Sequence, residues 1–530
     1  MWMNLPTFDF NVYIFNVTNS AEVLEGRKPV LDQIGPYCYK EVKDKLNLQE
    51  DASTDTITYS ARTTWTASQT DENCPSPHLT GDEVVVTPNV PLLATLMLAE
   101  KDFPLPFLIL VNRVLPSIFG GTSDIFLRTT ARSLLFDGIL IDCSSAELLA
   151  RSVCNSIKKN SRALKEIRRD VYSFSFFGAK NGTPEWFRYT VKRGVRNTEE
   201  VGRLVAIDGK PEMTFWRDAC NQIQGTDSTV FPPFRLKENG SLVAYSSDIC
   251  RVIFGVYEGT YDYKGVQGYA FSATFGNTDL NPGDRCFCPT DDRCYKKGTL
   301  DAFKCQGAPL VTSLPHFYQA SSDYVTGVQG LRPDKDKHGI SIVLEPTSGV
   351  PLLVKKRLQM NIDLRPFAFT PNSQNLERTL VPLFWAEELL ELDEELMNQL
   401  DSSLFLPERL SRAATWTSIA TGSCLMLLAA VLKLRRYRQD RVHDIGEDAG
   451  RDDGYEEDWR NRVKYKLPRA GLQDTIPSAI LNIRPYQQNM SAGYRKPIKE
   501  VMAGLSAADL MKNVSKLSSD FQRISTHRHR

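Results

Sequence analysis

The sequence predicts an α+β protein, a large β-rich body with a helical insertion, held to a membrane by a transmembrane helix. Three observations predict it. Apolar and polar residues alternate with period two in segments along most of the chain. Helical patterning is confined to two stretches. A single uncharged run of twenty residues, Ala413 to Leu432, is followed at once by basic residues.

Taken in order, Phe10, Val12 and Ile14 alternate as a half-buried strand does, and Ile57, Tyr59, Ala61 and Trp65 repeat the pattern. Residues 90–136 read as helical: Leu92 to Ala99, then a Pro-punctuated apolar run, then Asp124 as the N-cap of a helix reaching Phe136. Phe187, Tyr189 and Val191 give another strand. Ile340, Ile342 and Leu344 run through Pro346-Thr-Ser-Gly349 to Val350, Leu352 and Val354, a hairpin. Residues 384–404, rich in Glu and Leu, form the second helical stretch. The basic run Lys158 to Arg169 is read as a solvated face.

At about 1.5 Å per residue, the uncharged run is about 30 Å long, one bilayer core. Five hydroxyl residues weaken it, yet Lys433, Arg435, Arg436, Arg438 and Arg441 mark its far side as cytoplasmic. The expected organisation is an ectodomain over 1–412, a span over 413–434, and a cytoplasmic, mostly disordered tail over 435–530. Charge divides at the same place. The tail holds 19 basic and 13 acidic residues, net +6, leaving −6 on the rest of a chain whose formal charge is zero. That balance argues against a nucleic-acid binder. Nothing at the N-terminus resembles a signal peptide, so a further membrane span is expected upstream of Met1.

The sequons at Asn16, Asn181 and Asn239 precede the span and suit glycosylation in an exoplasmic compartment. Ten of eleven Cys also precede it, and Cys424 inside it is read as a small apolar residue. Cys286-Phe-Cys288, Cys294 and Cys305, with Cys220 and Cys250 upstream, form the densest cluster; disulfides suit the compartment, and a zinc module is the competing reading. Spacing leaves fifteen pairings of these six open.

Catalytic motifs are missing. No Ser is flanked by Gly at −2 and +2, and no His-Glu-x-x-His occurs. Gly202 to Lys210 departs from a phosphate loop in both glycine spacing and the following Pro211. Only His78, His316 and His338 precede residue 400, little material for a metal centre. A non-enzyme without cofactor is expected.

The cysteine pattern, with Gly225-Thr-Asp, Phe231-Pro-Pro-Phe234, Ser247-Asp-Ile-Cys-Arg251, Leu314-Pro-His-Phe317, Gly330-Leu, His338, Glu345-Pro, Lys356-Arg and Val381-Pro-Leu-Phe-Trp385, resembles the class B scavenger receptor family. Phe10 to Asn19, Asp124 to Arg128, Thr190 to Gly194 and Leu404 to Arg409 look most like its insect sensory neuron membrane proteins. The resemblance covers about residues 2–434. It implies an ectodomain between two membrane spans, with a barrel-like core, a helical apex at about 90–136 and an internal lipid tunnel. It also implies the pairs Cys220–Cys286, Cys250–Cys305 and Cys288–Cys294, a pair between Cys143 and Cys154, and Cys38 and Cys74 as the leftover couple. The apex carries Gly120-Gly-Thr-Ser-Asp124 where scavenger members carry a lysine cluster, which favours a neutral lipid over a polyanion.

The function this implies is a plasma-membrane co-receptor in sensory dendrites or support cells. It would take an apolar, lipid-like ligand, an odorant or pheromone, with odorant-binding proteins as possible donors and an odorant receptor channel as acceptor. Lys101, Arg113 and Arg128 are the expected ligand entrance. The alternatives are general lipid uptake of fatty acids, sterols or carotenoids in non-neuronal tissue, and a lysosomal sorting receptor, disfavoured by the long tail.

Overall fold

A computed structural model describes residues 5–448 apart from 69–73, 122, 162, 234–239, 279 and 291–293. The tail beyond 448, expected to be mostly disordered, lies outside the described residues.

The chain begins with β1 (Phe8–Val17), α1 (Ser20–Leu24), β2 (Leu31–Asp51) and β3 (Thr56–Ala67). The helical insertion follows β4 (Val84–Pro88) as α2 (Val90–Asp102) and α3 (Leu105–Ile118), and ends at β5 (Phe126–Thr130). Next come β6 (Ile139–Asp142), α4 (Leu148–Asn160), β7 (Leu164–Arg168) and β8 (Val171–Phe174). The second half of the sheet is β9 (Pro184–Lys192), β10 (Leu204–Ile207), β11 (Ser241–Ser246), β12 (Arg251–Tyr263), β13 (Val266–Ala273) and β14 (Thr299–Asp301). After α5 (Phe303–Gln306), β15 (Leu310–Ser313), α6 (Ser322–Gly327) and α7 (Lys335–His338) come β16 (Ser341–Leu344), β17 (Pro351–Leu364) and β18 (Thr379–Glu391). The described chain ends with α8 (Glu394–Leu400) and α9 (Leu406–Asp448).

Thirteen strands make one antiparallel sheet whose main path runs β10-β9-β3-β2-β1-β18-β17-β16-β13-β12-β11. The sheet is barrel-like and nearly closed. Its two ends, β10 and β11, are joined by the segment Gly225–Asp227. Thr226 bridges Arg203 on one side and Ala244 on the other. The Leu204 N–H donates to Gly225 O at 3.0 Å, the Thr226 N–H to Val243 O at 3.2 Å, and the Tyr245 N–H to Thr226 O at 2.9 Å. Edge groups that would otherwise face water unpaired are thereby satisfied. Closure brings distant strands face to face: Tyr189 on β9 stands 6.1 Å from Tyr245 on β11.

The helices of the insertion pack together, α4 against both α2 and α3. Asn89 caps α2, its Oδ1 accepting from the Leu92 N–H at 3.3 Å, while its Nδ2 donates to Asp124 O at 3.1 Å. The expected helix from Asp124 to Phe136 forms only at its end, over 131–137. Residues 126–130 are β5, paired to β4 from Val84↔Thr130 to Pro88↔Phe126, and a single π-helical turn, Ser133–Asp137, follows. Thr129 and Thr130 are β-branched, and a partner strand outweighs their modest helical leaning. The stretch 384–404 is divided likewise: β18 extends to Glu391, between β1 and β17, and the expected helix forms only from Glu394, as α8 followed by a π-helical turn at Asp401–Phe405. Conversely, α4 was not expected, although Ala150, Val153, Cys154 and Ile157 bury one helical face.

The ten cysteines before the long helix form five disulfides: Cys38–Cys74, Cys143–Cys154, Cys220–Cys286, Cys250–Cys305 and Cys288–Cys294. No thiol of the cluster is left to hold zinc. Cys424 is free and exposed. Among the described residues one helix is long and apolar enough to cross a membrane, and its apolar side chains are exposed throughout.

Two outcomes test this architecture in the full chain in detergent. Gly225 has φ +78°, and a Cβ there would meet Val243 O at 2.2 Å. Gly225→Ala should cost ~2–4 kcal/mol, read as a lower denaturation midpoint. Cys250–Cys305 closes 55 residues and Cys288–Cys294 only 6. Replacing the first pair by Ala should cost about 2 kcal/mol more than replacing the second, from loop-closure entropy.

Candidate functional site

The inner face of the closed sheet is the candidate site. Register sets which side chains share it, because directly paired residues of antiparallel strands point the same way. Phe8, Glu41 and Trp65 form one row across β1, β2 and β3, and Phe10 and Tyr39 begin the next. On the neighbouring strands Lys356 lies opposite Glu388, Leu358 opposite Ala386, and Met360 opposite Phe384.

One end of this face is aromatic. Phe10 is 5.7 Å from Trp65 and 5.2 Å from Phe177 between ring centroids, Phe177 is 5.5 Å from Phe384, and Phe176 is 4.5 Å from Phe384. The polypeptide that supplies Phe176 and Phe177 follows β8 and is held by the N–H of Phe177 donating to Leu135 O at 2.9 Å.

The other end is charged. Lys43 Nζ donates to Glu388 Oε2 at 2.7 Å, Lys356 Nζ donates to Glu388 Oε1 at 2.8 Å, and Lys356 also pairs with Asp248. Glu41 lies behind Lys43, its Oε2 3.5 Å from the ammonium, and is 2% exposed. Two ammonium groups thus meet three carboxyls. Burial, reinforced by Glu388, pushes the Glu41 carboxyl up to about 8. Burial would raise Glu388 and Asp248 too, but Lys356 and Lys43 outweigh it and hold both below the usual carboxylate range. Burial is also the largest influence on both lysines, yet their partners keep them charged. Lys43, Lys356, Glu388 and Asp248 nevertheless keep between 13% and 43% of their side-chain surface accessible. Glu185, which accepts from the Tyr189 hydroxyl at 2.6 Å, is raised by burial as well. Further along β2, Lys45 meets Asp227 at 3.3 Å, and Tyr59 donates to the same carboxylate at 2.8 Å. The closing segment is thereby tied to the interior.

Outside this face, His316 and His338 stack at 4.2 Å. His316 Nδ1 accepts from the Arg332 N–H at 3.0 Å, and its Nε2 contacts Gln33 Oε1 at 2.7 Å, an oxygen that also accepts from Trp385 Nε1 at 2.8 Å. His338 Nδ1 accepts from the Asp334 N–H at 2.9 Å. Burial lowers both, to about 3 and about 4, so the pair is a neutral packing element.

The residues proposed from sequence are scattered. Lys101, in the last turn of α2, lies 5.8 Å from the Phe303 ring; Arg113 on α3 and Arg128 on β5 are exposed. Among the described residues none of the three forms an ion pair. Asn16 Oδ1 accepts from the Val86 N–H at 2.8 Å. Asn181 spends both ends of its carboxamide on the backbone of Trp65, at 2.9 and 3.1 Å. Asn239 lies outside the described residues. The interior group Glu41, Lys43, Lys356 and Glu388 was missed. Its signal was available: Tyr37, Tyr39, Glu41 and Lys43 continue one face of β2, and charge on an otherwise apolar face calls for partners on the neighbouring strands.

Comparison with known proteins places this fold. The CD36 family pattern matches residues 1–433. The chain belongs to the CD36 family, the class B scavenger receptors, and is a membrane receptor rather than an enzyme. Its relatives include sensory neuron membrane protein 1 of Mamestra brassicae, 39% identical over 425 residues, 80% of each chain. Those of Heliothis virescens and Bombyx mori are 38% and 37% identical, over 82% of this chain and 83% and 82% of theirs.

Glu41 offers a pH test. Its folded pKa lies above the unfolded value near 4.3, so its stabilising contribution is complete below that value and is lost as pH rises through about 8. Glu41→Gln should flatten this loss. At pH 9 the full-length variant should exceed the parent by on the order of 2 kcal/mol in a thermal melt, with little difference at pH 5.

Proposed function

We propose that this protein is a chemosensory co-receptor that takes an apolar odorant or pheromone into the inner face of its closed sheet and releases it towards an odorant receptor channel in the same membrane. The observation that carries the reading is the aromatic surface of Phe10, Trp65, Phe176, Phe177 and Phe384 inside the sheet. In this reading residues 1–412 lie outside the cell, 413–434 cross the plasma membrane and 435–530 are cytoplasmic. Ligand, delivered free or by an odorant-binding protein, enters at the helical insertion. There Phe107, Ile109 and Leu110 of α3 are exposed, and an apolar crevice between α2 and α4 is lined by Leu98, Phe103, Val153 and Ile157. Lys101, Arg113 and Arg128 orient it there. Names of the relatives, all sensory neuron membrane proteins, support the sensory setting.

Burial suffices as a driving force. Removing about twelve methylenes from water offers roughly 10 kcal/mol before ordering and desolvation costs, enough for micromolar binding at about −8 kcal/mol. The test uses the full chain in nanodiscs and chain-length series of acetates, aldehydes and fatty acids. Affinity should climb with length in all three series. Ala386→Trp, which fills the inner face between Val12 and Leu358, should lower affinity at least tenfold. Binding indifferent to length and abolished by salt would overturn the reading in favour of a surface charge site.

A further inference from the structure

Where the aromatic and charged ends of the inner face meet, two polar atoms are buried without a hydrogen-bond partner: Trp65 Nε1 and Glu41 Oε2. They belong to residues paired directly across β2 and β3 and so share one face. Beside them Lys43 donates to Glu388 at 2.7 Å, lies 3.5 Å from Glu41 Oε2 and stands 5.1 Å from the Phe8 ring centroid. An ammonium has three N–H donors and Glu388 takes one at 2.7 Å, which leaves donor capacity on a side chain that keeps 26% of its surface accessible. Unfilled hydrogen-bonding capacity at a buried position is costly unless something fills it.

We propose that Trp65, Glu41 and Lys43 form a head-group site for the neutral carbonyl oxygen of an aldehyde or ester whose hydrocarbon chain lies along Phe10, Phe177 and Phe384. This deepens the reading of the inner face as the ligand path and rests on it. The chemistry selects the class. The indole N–H and the ammonium can only donate, and a protonated Glu41 donates too, so the three ask for an acceptor. Charge agrees: with Glu41 neutral, Lys43 and Lys356 balance Glu388 and Asp248, and a neutral ligand leaves the balance intact. A carboxylate would add an unbalanced negative charge in a desolvated place, and an ammonium would need Glu41 ionised.

The groups facing Glu41 are Lys43 on its own strand, Glu388 on β18, Lys356 on β17 and Asp248 before β12. Glu185 on β9 acts on Asp248 and Lys43. Because burial holds the Glu41 proton up to about 8, the acceptor site is intact at neutral pH. Above that, ionised Glu41 draws Lys43 into an ion pair and repels a carbonyl oxygen.

The experiment measures dissociation constants of the full chain in nanodiscs for alkane, alcohol, aldehyde, methyl ester, carboxylate and amine, compared at equal chain length and each taken over a series of chain lengths. Aldehyde and ester should bind roughly fivefold more tightly than the alkane at pH 7, and the advantage should vanish by pH 9. Trp65→Phe and Lys43→Met should each erase most of the advantage while leaving the gain per methylene unchanged. Glu41→Gln, which keeps a donor without a titration, should retain the advantage at pH 9. Alkane and aldehyde binding alike, with the chain-length gain intact, overturns the head-group site alone. Carboxylate or amine binding tightest overturns it in favour of a charge-selective site. Loss of the chain-length gain itself overturns the parent reading. The head-group and pH series on the unmodified protein decide the matter even where a variant does not fold.

Discussion

Everything inside this protein depends on the closure of its sheet. The path of strands leaves β10 and β11 as edges, and three residues, Gly225, Thr226 and Asp227, occupy the gap between them. Each residue has a separate task. Gly225 takes a left-handed conformation at a spot where a Cβ would strike the Val243 carbonyl. Thr226 carries the bridges to both sides. Asp227 turns its carboxylate inward to Lys45 and Tyr59. Without the clasp the same strands would form an open, curved sheet with two exposed edges, and its concave face would be solvent.

Closure creates the interior, and the interior is not uniform. At one end the rings of Phe10, Trp65, Phe176, Phe177 and Phe384 pack against one another. At the other, Glu41, Lys43, Asp248, Lys356 and Glu388 hold buried charge close to neutrality. Removing one member of such a group leaves a buried charge uncompensated, whereas an apolar replacement of the whole set is often neutral or stabilising. Stability alone therefore gives no reason for the set to exist.

The outer covering is organised on different terms. His316 and His338, with Gln33 and Trp385, lock residues 315–338 onto the sheet by hydrogen bonds whose donors and acceptors are already assigned. Five disulfides staple the body, three of them within residues 220–305. This rigidity suits a container whose contents change while its wall does not.

The sequence by itself determined the class, the membrane-capable helix and several strands of the sheet. Period-two alternation at Phe10, Val12 and Ile14 or at Phe187, Tyr189 and Val191 is local, and twenty uncharged residues before a basic cluster need no tertiary context. Local signals failed where a partner strand outweighed propensity. Residues 384–391 carry helix-forming Leu and Glu yet lie between β1 and β17, where ladder hydrogen bonds and burial decide the conformation. The inner site was illegible for a related reason. Glu41, Trp65, Lys356 and Glu388 are far apart in the chain, and only the register of β2, β3, β17 and β18, set by a closed sheet, puts them on one surface. Sequence could say that these strands have two faces; only closure decided which face would be the inside.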